Sequence, residues 1–198
     1  MEAILINFDE GALFVTGQIT DAFMYKGERY SLVGVHGQGL FTPEAFKMRA
    51  YHTSTGCWRG YVMTFACTGT ELLLDEMSLN VNRPRAINKV KPQQGDWMFK
   101  FTYKNLGVKA PFTGSLLLGK DFITSMYIHM GFQRPIAFKT VLELLVTNGT
   151  ITEVKDLSAK MEEVRNKNPS DGAEPGSTSK DDVMKWIGKT FSLDYGFD

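Results

Sequence analysis

Short apolar, aromatic and β-branched runs separated by turn residues fill most of the first 155 residues, the pattern of strands and turns rather than of long helices. Apolar runs at 3–8 and 12–18 flank Asp9, Glu10 and Gly11 and predict an N-terminal hairpin. An aromatic and β-branched run at 29–35 follows Lys26, Gly27 and Glu28, and Gly37 and Gly39 are expected to end it. Runs at 61–67 and 71–77 predict a hairpin about Thr68, Gly69 and Thr70. Runs at 141–146 and 151–155 predict another about Asn148-Gly149, a pair suited to the two positive φ angles of a type I′ turn. The two hairpins share some spacing, through either duplication or common turn chemistry.

Between these hairpins, residues 82–95 read as a loop, rich in charge, proline and asparagine. Residues 97–103 place Trp97, Phe99, Phe101 and Tyr103 on one face, as core or as the wall of a cavity. A strand is expected at 115–118, and 122–130 fits a strand or a short helix. Thr42 and Pro43 predict a short helical turn. Strands and turns without regular strand–helix alternation predict a mainly β fold: an antiparallel sandwich or partly closed barrel with a few short helices and a tethered C-terminal helix.

The pattern changes after Asp156. Residues 157–165 have helical propensity and close a β-rich domain at 1–165. Residues 166–180 are rich in Pro, Gly, Ser and Asn and read as a flexible linker. In the amphipathic segment 181–198, Ser179 can cap a helix whose first turn carries Asp181 and Asp182. Val183, Trp186 and Ile187 share a face at i, i+3 and i+4. That face is expected to bury on its own domain, on a neighbouring subunit or on a protein partner. Phe191, Tyr195 and Phe197 support docking of the tail.

Charge narrows the function classes. The 198 residues carry 22 Lys and Arg against 22 Asp and Glu, so the net charge is zero. Neutrality argues against wholesale binding of nucleic acid or an anionic membrane, and neither is expected as a partner. Arg83, Arg85, Lys89, Lys91 and Lys100 form a local basic stretch, expected to be a solvated loop. Residues 1–20 do not read as a signal peptide, and no apolar run is long enough to span a bilayer. Cys57 and Cys67 are too few for a disulfide scaffold, which fits a cytoplasmic location. His36, His52 and His129 lack metal-ligand spacing, so no metal or cofactor is expected.

Two segments concentrate chemistry-bearing side chains. In the first, Cys57, Trp58, Arg59 and Tyr61 cluster around Gly56 and Gly60. As a ligand site, Arg59 would offer its planar fork to an anion, with Trp58 or Tyr61 as a stacking wall. Cys57 would serve as a nucleophile only with a base, for which His52 is the nearest histidine in sequence. As architecture, Arg59 would instead be buried against a carboxylate such as Glu143 or Asp156. In the second segment, His129 follows Tyr127 and precedes Gly131, with Arg134 beyond. His129 would act as a general acid/base or polar pocket group, with Arg134 as a second anion contact, or as a core histidine bonded to backbone.

The block Ser54-Thr55-Gly56-Cys57-Trp58-Arg59-Gly60-Tyr61 resembles a Ser-Thr-Ala-Cys-Trp-Arg-Gly-Tyr block of an uncharacterised family of bacterial proteins. The segments from Pro111 to Leu116 and from Tyr127 to Phe132 resemble later parts of that family, so the likeness spans about residues 40 to 160. Gly56 departs from the family's alanine, and the C-terminal tether lies outside the match. The resemblance implies a bacterial cytosolic protein and brings no activity. The leading expectation is a non-enzymatic binding module, immunity-like or regulatory, acting through a protein partner or a small anionic ligand. One alternative is a small hydrolase using His129 and Arg59, with Cys57 as a further catalytic candidate. Another is a structural homo-oligomer built by exchange of the C-terminal helix.

Overall fold

The chain forms ten strands in the structure, a computed structural model that describes residues 17–170 and 172–195. The hairpin expected at 3–18 lies outside the described residues except for its last two positions, and Phe197 also lies outside them. The strands are β1 (Ala22–Tyr25), β2 (Glu28–Gln38), β3 (Tyr61–Thr68), β4 (Glu71–Leu79), β5 (Gln93–Gln94), β6 (Phe101–Tyr103), β7 (Val108–Lys109), β8 (Thr113–Phe122), β9 (Phe138–Thr147) and β10 (Thr150–Asp156). Two α-helices follow, α1 (Ser158–Lys167) and α2 (Lys180–Thr190).

Seven of these strands close a barrel in the order β1-β3-β4-β10-β9-β8-β2 and back to β1. Every pairing in this ring is antiparallel except β1 with β3. Closure is made where Thr150 meets Glu71, reinforced by the Ile151 N–H donating to the Thr70 carbonyl at 2.6 Å. The remaining edge of β4 is taken by β6 and β7, and β5 adds to β6, so these three short strands lie outside the ring. The mainly β, barrel alternative of the sequence expectation is therefore the observed one, with closure complete.

Period-two alternation sorts the core. Leu116 and Leu118 of β8 belong to the main cluster with Phe23, Phe65, Met77 and Leu144. Leu117 faces the other way and packs with Val33, Ile136, Phe138, Val141 and Met161 of α1. One cluster fills the barrel and the other seats α1 on its outer wall. Phe23 and Phe65, register partners across the parallel β1–β3 pair, stack at 4.9 Å between ring centroids.

Local signals held where turn chemistry is strong. Asn148 and Gly149 adopt φ of 47° and 73° between β9 and β10. The Ser179 side chain accepts from the Asp182 N–H and caps α2. Pro43–Phe46 is a 3-10 turn, although Thr42 makes no side-chain cap bond there. In the segment 122–130, a 3-10 turn at Thr124–Met126 resolves the ambiguity.

Other expectations are corrected. Gly37 does not end β2: it pairs with Gly114 inside the ladder, and the strand runs on to Gln38. Only Phe101 and Tyr103 of the expected aromatic face lie in a strand and pack on the main core; Phe99 is buried ahead of it, and Trp97 is 85% exposed. The Asp96 side chain accepts from the Met98 and Phe99 N–H groups, and this turn delays the strand until Phe101.

The C-terminal segment docks on its own barrel. β1 covers only the first part of one β2 edge, pairing through Ser31. Further along, the Val35 N–H donates to the Leu193 carbonyl at 2.6 Å, and Val35 bridges Asp194 in parallel. Gly34 leaves room for the tail: an added Cβ would sit 2.6 Å from Tyr195 Cδ1. Gly131, at φ 73°, lies where any Cβ would collide with the Thr190 carbonyl, while the neighbouring Phe132 N–H donates to that carbonyl at 2.8 Å. Val183, Trp186 and Ile187 are half-buried, and the Trp186 indole N–H donates to the linker carbonyl of Gly172 at 3.1 Å.

Candidate functional site

The two chemistry-rich segments meet, and residues 17–21 stitch them together. The Gln18 N–H donates to the Gly131 carbonyl, its side-chain amide donates to the Thr55 carbonyl, and its amide oxygen accepts from the Trp58 N–H. The Ile19 N–H donates to Gly56, and the Gly17 N–H donates to the Tyr127 hydroxyl at 2.8 Å. No role for Gln18 was legible in the sequence, because its side-chain amide and N–H meet only backbone groups of distant segments, which carry no side-chain signature.

Arg59 has the buried carboxylate that architecture requires, but the carboxylate is Asp21 rather than Glu143 or Asp156. Nη1 and Nη2 of Arg59 donate to the two Asp21 oxygens at 2.9 and 3.0 Å. Asp21 is 3% exposed and also accepts from the Met63 N–H at 2.8 Å. The guanidinium lies against the Tyr61 ring at 4.8 Å and the Phe132 ring at 5.8 Å. Burial works against its charge, but the Asp21 carboxylate outweighs that and holds Arg59 above its ordinary range. Glu143 instead meets the Tyr195 hydroxyl and Lys155, and Asp156 accepts from the Ser158 N–H at the start of α1.

The other candidates fall into place around this pair. The face of Trp58 is stacked on Phe191 of the tail at 4.7 Å. The Cys57 thiol is buried and donates to the Tyr61 carbonyl at 3.3 Å; burial pushes it up, against the reverse pull of Arg59. A nucleophilic thiolate needs the opposite shift. His52 is exposed, and burial pushes Cys67 up to about 12. His129 is exposed with its ring edge-on to Tyr127 at 5.2 Å, so it is not the core histidine of the architectural expectation. Arg134 is half-buried beside the 3-10 turn Pro135–Ala137. The two segments form a clasp that fastens residues 17–21 and the tail to the barrel, with the Arg59 fork already occupied and one face of Trp58, which stays 57% exposed, covered by Phe191.

A different surface carries open chemistry. Two adjoining clefts, of about 930 and 500 Å³, share Lys47 and Arg85. Their lining contains five cationic side chains, Lys47, Arg49, Arg83, Arg85 and Lys109, and no carboxylate. Lys109 is paired with Glu71 at 3.0 Å. Among the described residues, no carboxylate makes an ion pair with Lys47, Arg49, Arg83 or Arg85, all of them exposed.

The frame beneath these cations is fixed. The Tyr103 side chain is fully buried, and its hydroxyl donates to the Arg85 carbonyl at 2.7 Å. Val81, Ile87 and Met48 are buried in the main core beside the cations they flank in sequence. Asn88, which lines the larger cleft, donates to the Leu106 carbonyl at 2.7 Å, and an isolated bridge joins Ile87 to Val90. The loop expected at 82–95 is a loop pinned at several points up to residue 92, but its end is corrected: Gln93–Gln94 form β5 against β6. Sequence reasoning singled out Arg83 and Arg85 in it and passed over Lys47, Arg49 and Lys109, which arrive from other parts of the chain.

Among the described residues, no group of three or more His, Cys, Asp and Glu side chains is placed to hold a metal ion. No helix among them is long and apolar enough to cross a membrane. Comparison of the chain with family models, curated proteins and solved structures finds no match in any of the three.

Proposed function

We propose that the protein is a binding module whose ligand is an anion, held in the paired clefts between the 3-10 turn at Pro43–Phe46, the loop at 81–90 and β7. The observation that carries this reading is the set of four exposed cations without a carboxylate partner, in a chain of zero net charge. Like charges held together on a pinned frame repel one another, and a multivalent anion relieves that repulsion when it binds. Arginine forks suit phosphate or carboxylate oxygens, and lysine supplies a point charge. A binding role also fits the fate of two catalytic candidates: Cys57 is a buried thiol and Arg59 is engaged by Asp21, which leaves the exposed His129 without them as catalytic partners.

Isothermal titration with inorganic tripolyphosphate tests the proposal. Binding is expected at low salt, with affinity falling roughly tenfold or more between about 50 and about 200 mM salt as counterions compete. Absence of binding at low salt, or binding indifferent to salt, would overturn it.

A further inference from the structure

One exposed aromatic ring lines the smaller cleft and a second is carried on a loop tied beside it, and these define the class of anion more narrowly. Tyr51, 37% exposed, lines the smaller cleft with Arg49 and Arg83. Trp97 is the most exposed large hydrophobic side chain among the described residues. Buried Asn80 ties the two loops that carry them. Its carbonyl accepts from the Tyr51 N–H at 3.0 Å, and its side-chain amide donates to Thr53 and to the Met98 carbonyl, both at 3.0 Å. Its side-chain oxygen also accepts from the Lys100 N–H at 2.8 Å. The Thr53 hydroxyl adds a bond to the same Met98 carbonyl. Tyr51 and Trp97 are therefore presented from fixed loops at the same end of the barrel as the cations.

Resting on the anion-binding reading above, we propose that the ligand is a single-stranded nucleic acid. Its phosphates would run along Lys47, Arg49, Arg83 and Arg85, and its unpaired bases would stack on Tyr51 and Trp97. Cations that track a backbone beside aromatic faces are what such strands require, because every base offers a π-face and every link a phosphate. A duplex hides those faces, and the clefts are lined by loops and a short strand rather than by a helix shaped for the major groove. A membrane surface is disfavoured by the setting of Trp97, whose neighbours Gln93, Gln94, Asp96 and Lys100 are exposed and polar. Overall neutrality does not oppose the proposal, since the charge that matters is local.

The test is fluorescence anisotropy with labelled oligo(dT) and oligo(U) of about twelve nucleotides, run beside tripolyphosphate and phosphatidylserine vesicles. Wild-type protein is expected to bind at least one oligonucleotide and to quench its tryptophan emission. Affinity should fall with salt at a logarithmic slope near −3, about −0.7 for each of four phosphate contacts. Trp97→Ala and Tyr51→Ala are each expected to weaken oligonucleotide binding at least fivefold and to leave tripolyphosphate binding unchanged. Trp97→Ala removes an exposed ring and should melt as the wild type does. If tripolyphosphate binds and neither oligonucleotide does, or if both aromatic variants bind oligonucleotide normally, this inference falls and anion binding stands. Vesicle binding without oligonucleotide binding also overturns it. Failure of every anion to bind overturns both.

Discussion

Asp21→Ala is expected to destabilise the protein by about 4 kcal/mol and to lower its melting temperature by about 10 °C, read by thermal and urea unfolding. Two costs combine. The Arg59 guanidinium, its side chain 24% exposed, would lose both of its carboxylate bonds while remaining against Tyr61 and Phe132. The Met63 N–H, inside the barrel wall, would lose its acceptor. Arg59→Ala should cost about as much, because it strands the more deeply buried partner. Arg59→Lys should recover only part, since an ammonium cannot match a bidentate fork. The double variant should lose less than the sum of the two single losses, which is how a direct pair reports itself. A loss below about 1 kcal/mol for Asp21→Ala would mean that the pair behaves as a solvated surface bridge and that the clasp is not structural. Tripolyphosphate binding, measured on folded material, should be unaffected.

The double variant Arg83→Glu/Arg85→Glu is expected to do the reverse: no substantial stability change, and a loss of anion affinity of roughly 100-fold. Both side chains are exposed and free of ion pairs among the described residues, so their own contribution to folding is within about 0.5 kcal/mol. Binding is another matter. A unit charge about 5 Å from another is worth about 0.8 kcal/mol even at the dielectric constant of water. Turning two positive charges into two negative ones beside an anion therefore costs about 3 kcal/mol, which is roughly the stated factor. Calorimetry with tripolyphosphate, beside a melting curve, reads both halves. Retained affinity would place the anion elsewhere, and a large drop in melting temperature would give the arginines a structural role.

What the sequence made legible follows from the range of the physics involved. Asn148-Gly149 and the Ser179 cap were readable because turn and cap chemistry acts within four residues. β8 and β9 were readable as apolar runs of strand length, β8 without alternation because both of its faces are buried at Leu116, Leu117 and Leu118. β1 was missed: four residues, Ala22–Tyr25, are too few to show a period, and their place depends on a parallel pairing with β3 some forty positions away. That pairing also brings Asp21, rather than the two acidic residues expected, to Arg59. Trp97 was misplaced because a side-chain turn at Asp96 overrode the alternation. The basic clefts were invisible for the same reason as Asp21. Arg83 and Arg85 looked like a solvated loop until Lys47, Arg49 and Lys109 converged on them from other segments. The two aromatic blocks, each with a single arginine, attracted attention by composition, yet composition cannot distinguish an offered arginine from one already paired.

The central claim is that the open binding surface is the basic clefts and not the clasp. Two-dimensional amide NMR of the full chain during titration with tripolyphosphate tests it most directly. The account predicts saturable shifts concentrated at Lys47, Arg49, Arg83 and Arg85, with the amides of Trp58, Arg59, Tyr61, His129 and Arg134 unmoved. Shifts confined to those clasp amides would contradict it, as would a spectrum that does not change.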